Sequence, residues 1–234
     1  VSALEHILAR HPVWRGGAPA ASKNAVPTGF AALDAALPGG GWPVGALAEV
    51  LAGVEGVGEL QLVLPAMAAL SWAGRRIAWL APPHLPYAPA LAAAGVNLAQ
   101  LVVVRASWTN KGRRDALWAA EQALRSGTCH ALLAWFRHAR YDELRRLAVA
   151  AEASPACVVL FRPPEAAVEP SPAVLRLLLE PGLSVRVLKR RGMPAGTPIP
   201  LPVKRPANAL GRTSFPVPGA RPRAARRVGV PVHA

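Results

Sequence analysis

Leu47-Ala48-Glu49-Val50-Leu51-Ala52-Gly53-Val54-Glu55-Gly56-Val57-Gly58-Glu59-Leu60 is the stretch on which the reading of this chain turns. Leu47–Leu51 is short and apolar enough for a buried strand, Gly53–Gly58 is a glycine-rich turn, and Leu60–Trp72 is a helical run. Strand, glycine turn and helix start together form the geometry in which backbone N–H groups and a helix N-terminus hold phosphate. A working phosphate loop has the form GxxxxGK[ST], with the lysine on the β/γ-phosphates and the hydroxyl on magnesium. Gly53 and Gly58 have the required separation, with Gly56 between them. Glu59 stands where lysine is needed and Leu60 where serine or threonine is needed. A carboxylate there sets like charges against each other at the phosphate site, and Leu60 removes the magnesium ligand. Conventional ATP binding is therefore expected to fail, and no cofactor is expected.

Outward from this loop, strands alternate with helices. Arg76–Ala81, Leu101–Arg105, Ala131–Phe136 and Ala156–Arg162 read as strands. Between them lie helices at Pro89–Gly95, Arg113–Ser126 and Asp142–Ala153. The second of these shows Leu117, Trp118 and Leu124 as one apolar face, and the third carries Leu144, Leu147, Ala148 and Ala151 at helical spacing. Such alternation implies βαβ units and a doubly wound, mostly parallel sheet. Leu175–Glu180 and Ser184–Lys189 are joined by so short a turn, Pro181-Gly182, that they must pair antiparallel. Ser2–His11 has the pattern of a short amphipathic helix with a capping box, and residues 12–25 form a linker rich in Gly, Pro and Ala. The expected organisation is a helix and linker over 1–25, an α/β domain over 26–203 and a basic, proline-rich, disordered tail over 204–234.

The 234 residues carry a net charge of +14. No acid follows Glu180, whereas Arg186, Lys189, Arg190, Arg191, Lys204, Arg205, Arg212, Arg221, Arg223, Arg226 and Arg227 do. A segment of one sign attracts polyanions, nucleic acid above all, or serves only to keep the chain in solution. Cys129 and Cys157 sit in apolar runs without metal-ligand spacing and are expected to be buried thiols of a reducing compartment. No pair of the six histidines combines ligand spacing with an acid partner, so no metal site is expected. Charges and prolines interrupt the first forty or so residues and the longest uncharged stretch, which argues against a signal peptide or membrane helix and for a cytoplasmic protein.

Upstream of the loop, Pro27-Thr28-Gly29-Phe30-Ala31-Ala32-Leu33-Asp34 leads to Gly39-Gly40-Gly41-Trp42-Pro43-Val44-Gly45 and then Glu49. This ordered string resembles the opening of the RecA recombinase family, and the similarity runs over about residues 26–162. It implies a RecA-like three-layer core. Laid on that pattern, the family's general-base glutamate falls at Pro83 and its magnesium-associated aspartate at Trp135, while its γ-phosphate-sensing glutamine falls near Arg162. A RecA-like domain with these losses, an N-terminal helix and a basic tail resembles the ImuA/SulA-like family. That resemblance implies a non-catalytic accessory role in SOS-induced, error-prone translesion DNA synthesis. The implied partners are an ImuB-like Y-family protein, RecA and an error-prone polymerase, with homo-oligomers within the family's habit. The alternatives are a SulA-like inhibitor of cell division and an ATPase with an atypical loop.

Further residues invite a binding role. Trp108-Thr109-Asn110-Lys111-Gly112-Arg113-Arg114 places an aromatic among three cations in a loop before a helix. That composition suits single-stranded DNA, by stacking and phosphate pairing, and equally suits a solvated helix start with Trp108 packed on the core. Arg137, Arg140, Arg145 and Arg146 fit either a basic face or ordinary helix-surface charge. Lys189-Arg190-Arg191 ends the last strand, and Arg221, Arg223, Arg226 and Arg227 form a second basic cluster suited to DNA or an acidic partner.

Overall fold

The computed structural model describes residues 25–53, 58–106, 109–190 and 196–202. The N-terminal helix Ser2–His11, Gly56, Trp108, Arg191 and the tail residues Arg221, Arg223, Arg226 and Arg227 lie outside these segments.

The strands are β1 (Ala25–Val26), β2 (Trp42–Pro43), β3 (Ala46–Ala52), β4 (Arg76–Leu80), β5 (Leu101–Val104), β6 (Cys129–Trp135), β7 (Cys157–Arg162), β8 (Leu175–Glu180), β9 (Ser184–Lys189) and β10 (Ile199–Pro200). The helices are α1 (Ala31–Ala36), α2 (Glu59–Trp72), α3 (Ala88–Ala93), α4 (Asn110–Arg125) and α5 (Tyr141–Glu152). Eight strands form one sheet in the order β10-β9-β8-β3-β7-β6-β4-β5, and β1 and β2 form a separate antiparallel pair. Within the large sheet β8, β3, β7, β6, β4 and β5 run parallel, and β9 and β10 join antiparallel. The mostly parallel α/β sheet with its antiparallel closing pair is thus the fold that the alternation of elements implies.

Strand β3 lies at the centre because, Glu49 apart, the side chains on both its faces are apolar. Ala48 and Val50 point to the layer that holds α1, α2 and α3. Leu47 points to the opposite layer, with α4 and α5. The chain leaves β3 for β4 and β5 with α2 and α3 on one face. It then doubles back through β6 and β7 with α4 and α5 on the other, as right-handed crossovers demand. The reversal leaves the carboxyl ends of β3, β4, β6 and β7 along one edge, where such sheets receive ligands.

The upstream string that marks the resemblance is held by packing. Thr28 is fully buried; its N–H and hydroxyl both donate to Asp34 Oδ1, at 2.8 and 2.7 Å, and its oxygen accepts the N–H of Phe30 at 3.1 Å. This loop closes α1 upon itself, while Phe30, Leu33 and Leu37 enter the core. Gly29 has φ +86, and a Cβ there would lie 2.5 Å from Cβ of Pro65 in α2. Gly41 is as tightly placed, since its Cβ would meet the carbonyl of Val26 at 2.1 Å. Gly29→Ala combines left-handed strain with overpacking and should cost about 2 kcal/mol or more. Urea denaturation of the variant checks this, and a loss below about 0.5 kcal/mol contradicts it.

Two local expectations are corrected. Helix α4 begins at Asn110 rather than Arg113, because Thr109 caps it by accepting the N–H of Gly112 at 3.1 Å. Trp118 does not share the apolar face of Leu117 and Leu124: those two are buried, whereas Trp118 is 63% exposed. The buried face is Ala116, Leu117, Ala120 and Leu124, and position 118 lies about 100° around the helix from position 117.

Candidate functional site

On the face covered by α2, the carboxyl ends of β4, β6 and β7 carry aromatic side chains. Trp135 ends β6 and is 7% exposed. Its ring stacks on that of Phe161 of β7 at 4.8 Å and 19°, and meets that of Trp79 of β4 tilted, at 5.5 Å and 60°. The three rings share the face covered by α2. An aromatic trio therefore occupies the carboxyl ends of β4, β6 and β7 on this face. Tilted and offset ring contacts of this kind add about 0.5–1.5 kcal/mol per pair beyond burial.

The start of α2 is closed in a similar way. Gly58 caps the helix at φ +107, and a Cβ there would lie 3.1 Å from Cδ1 of Leu183. Leu183 belongs to the β8–β9 turn, is buried and itself has φ +59. The turn thus leans an apolar side chain on the helix N-terminus. Glu59, the first residue of the helix, is also buried, and Leu60 packs against the core. An acid in the first turn is favoured by the helix dipole, and Glu59 holds that place. Gly53 ends the strand side of the loop and is exposed. Pro83 is half-buried in the segment after β4, which leaves the strand through Ala81 at φ +49, its N–H donating to the Val104 carbonyl at 2.8 Å.

On the opposite face of the sheet lies a polar cluster that sequence reasoning did not find. Glu49, on β3, is directly opposite Arg176 of β8. Its Oε2 accepts from Arg176 Nε at 2.7 Å, and its Oε1 accepts from Arg162 Nη1 at 3.2 Å and from the Ser171 hydroxyl at 2.9 Å. Arg162 also donates to Glu169 Oε2 at 2.6 Å and to the Ala139 carbonyl. Arg176 donates to the carbonyls of Ala166, Ala167 and Glu169, which belong to or follow the 3₁₀ turn Pro164–Val168. Two carboxylates balance two guanidiniums, so the crossover from β7 to β8 is pinned onto the sheet without net charge. The signal was there to read: one acid inside an apolar strand requires a buried cationic partner, and Arg162 and Arg176 each lie in an apolar run.

The cations read as binding candidates divide. Arg113 turns inward and donates to buried Glu143, at 2.6 Å to Oε2. Lys111 pairs with Asp115 on the surface at 2.9 Å. Arg114 points to solvent. Lys189 donates to the Ser171 carbonyl at 2.9 Å, and Arg190 donates to the Ala36 carbonyl at the end of α1. The structure does not gather these residues at one place.

Both cysteines are buried and unpaired. Burial pushes the Cys157 thiol up to about 12 and raises Cys129 as well, which leaves neither as a nucleophile near neutral pH. The His130 imidazole is held below its usual value, by desolvation first and then by the Arg75 guanidinium 2.8 Å away. Among the described residues no helix is long and apolar enough to cross a membrane.

No family model and no curated protein matches the chain. Among solved structures, the crystal structure of SulA from Pseudomonas aeruginosa is similar at 24% identity and a TM-score of 0.41. The similarity spans 49% of this chain and 96% of that one.

Proposed function

We propose that this chain is a non-catalytic, RecA-like scaffold of SOS-induced, error-prone translesion DNA synthesis. It acts through contacts with an ImuB-like Y-family protein, RecA and DNA rather than by turning over nucleotide. The observation that supports the reading is the Trp79–Trp135–Phe161 stack at the carboxyl edge of the sheet. A sheet that keeps its architecture while its catalytic edge is packed with aromatic rings is suited to presenting surfaces. Phosphoryl transfer needs a cation on the phosphates, a metal ligand and a water-orienting group. Glu59, Leu60, Trp135 and Pro83 supply none of them at the corresponding positions.

Calorimetric titration of the full chain with ATP and magnesium tests the first half of the proposal, and damage-induced mutation frequency in a strain lacking the gene tests the second. The expected results are no saturable heat at millimolar nucleotide and a loss of induced mutations. Micromolar ATP binding overturns the non-catalytic reading, and an unchanged mutation frequency overturns the role in translesion synthesis.

A further inference from the structure

Helix α4 turns Lys111, Arg114, Trp118, Gln122 and Arg125 to solvent. Their 3-4-4-3 spacing makes a single stripe about 21 Å long on one side of the helix. Trp118, at its middle, is 63% exposed. Two acids of this layer lie beneath it, Glu121 and Glu143, 4% and 7% exposed, while Asp115 and Asp142 stay at the surface, paired with Lys111 and Arg140. Glu121 holds Arg146 at 2.8 Å and reaches Arg125 at 3.9 Å, and Glu143 holds Arg113 and reaches Arg140 at 3.7 Å. The side chains of Arg125, Arg140 and Arg146 remain 66%, 72% and 65% exposed, so they are tethered from below and open above. Arg114 and Arg145 have no acid partner among the described residues. Tyr141, the first residue of α5, adds a second half-exposed ring.

We propose that the outer face of α4 and α5 is a binding surface for single-stranded nucleic acid, with a base stacking on Trp118 and phosphates meeting Arg114, Arg145 and the tethered Arg125 and Arg146. The proposal rests on the DNA-contact reading above and assigns that contact to a surface. An exposed indole on a helix that also carries Arg114 and Arg125, with Arg146 of α5 tied to the same helix through Glu121, offers a stacking platform and phosphate donors together, the combination by which single strands are held irrespective of sequence. An acidic peptide would use the charges and leave the indole idle.

The test is fluorescence anisotropy of the full chain with a labelled oligothymidylate of about twenty nucleotides, at two salt concentrations. The variants are Trp118→Ala, Trp118→Tyr, the pair Arg114→Gln with Arg145→Gln, and a tail variant with Arg221, Arg223, Arg226 and Arg227 all changed to Gln. Trp118→Ala should weaken binding about 5- to 100-fold and Trp118→Tyr should restore most of it. The arginine pair should flatten the salt dependence by about one to two contacts. An unchanged thermal midpoint for Trp118→Ala, expected of so exposed a side chain, shows that the loss is not unfolding. If Trp118→Ala binds as the parent does while the tail variant does not, this surface is refuted and the DNA-contact reading stands. If the parent itself does not bind, both fall. If polyglutamate displaces the labelled strand as well as unlabelled oligothymidylate does, the face is an acidic-protein site and the proposal is overturned.

Discussion

Glu49→Gln will cost the fold about 3–5 kcal/mol, a large share of the roughly 5–15 kcal/mol that holds a domain together. The substitution keeps the shape of the side chain and removes only its charge. Arg162 and Arg176 then face each other's positive charge in the interior, their side chains 1% and 8% exposed. Glu169 can neutralise only one of them, and it does so from the surface, at 52% exposure. Removing Arg176 instead has a different consequence, because its guanidinium also satisfies the carbonyls of Ala166, Ala167 and Glu169. Arg176→Met therefore orphans backbone acceptors as well as the Glu49 carboxylate, and should destabilise at least as much. Guanidinium unfolding curves measure both. A Glu49→Gln protein within about 1 kcal/mol of the parent would show that the cluster contributes little.

Trp135→Asp, which sets an acid where the RecA resemblance implies one, is expected to lose about 3–5 kcal/mol and to gain no ATPase activity. Excising a buried indole leaves a cavity, and truncations of large aromatic residues cost about that much. The carboxylate adds to the loss, since an ion buried among rings gives up its hydration and the stack offers it one polar donor at most, the unpartnered indole N–H of Trp79. Trp135→Phe retains the stacking and should lose about half as much. The measurement is chemical denaturation alongside a phosphate-release assay. Phosphate release above background, with stability near the parent's, would mean that the aromatic edge is incidental and the nucleotide site recoverable.

The large elements were legible because their patterns are long. Leu175–Glu180 and Ser184–Lys189 are strands over the residues expected, since two apolar runs around Pro181-Gly182 leave little choice. Helix α1 and the two-residue strands were not. Helix α1 has six residues, too few for a period to show, and exists because Thr28 and Asp34 close it and Phe30 and Leu33 anchor it. Strands β1, β2 and β10 have two residues each and are set by tertiary pairing. Trp118 was misplaced because an indole was counted as core, although the alanines at 116 and 120 already completed the buried face. At the candidate site Glu59, Leu60, Pro83 and Trp135 could be set against the RecA pattern position by position, as the resemblance implies. The ring stack was not legible, because Trp79, Trp135 and Phe161 come from three strands that meet only in the sheet.

The central place of β3 also governs how the chain acquires its shape. Glu49 finds its two arginine partners 113 and 127 residues further along. A growing polypeptide emerging at about 5–20 residues per second leaves that strand without either neighbour for on the order of ten seconds. Meanwhile an apolar segment with open edges on both sides is free to pair wrongly. Sequence separation of this size slows productive collapse, because the cost of closing so long a loop comes before any contact rewards it. Holdase chaperones thus have a long window in which to act on this chain, and its yield in a host will depend on how fast the last third follows the first.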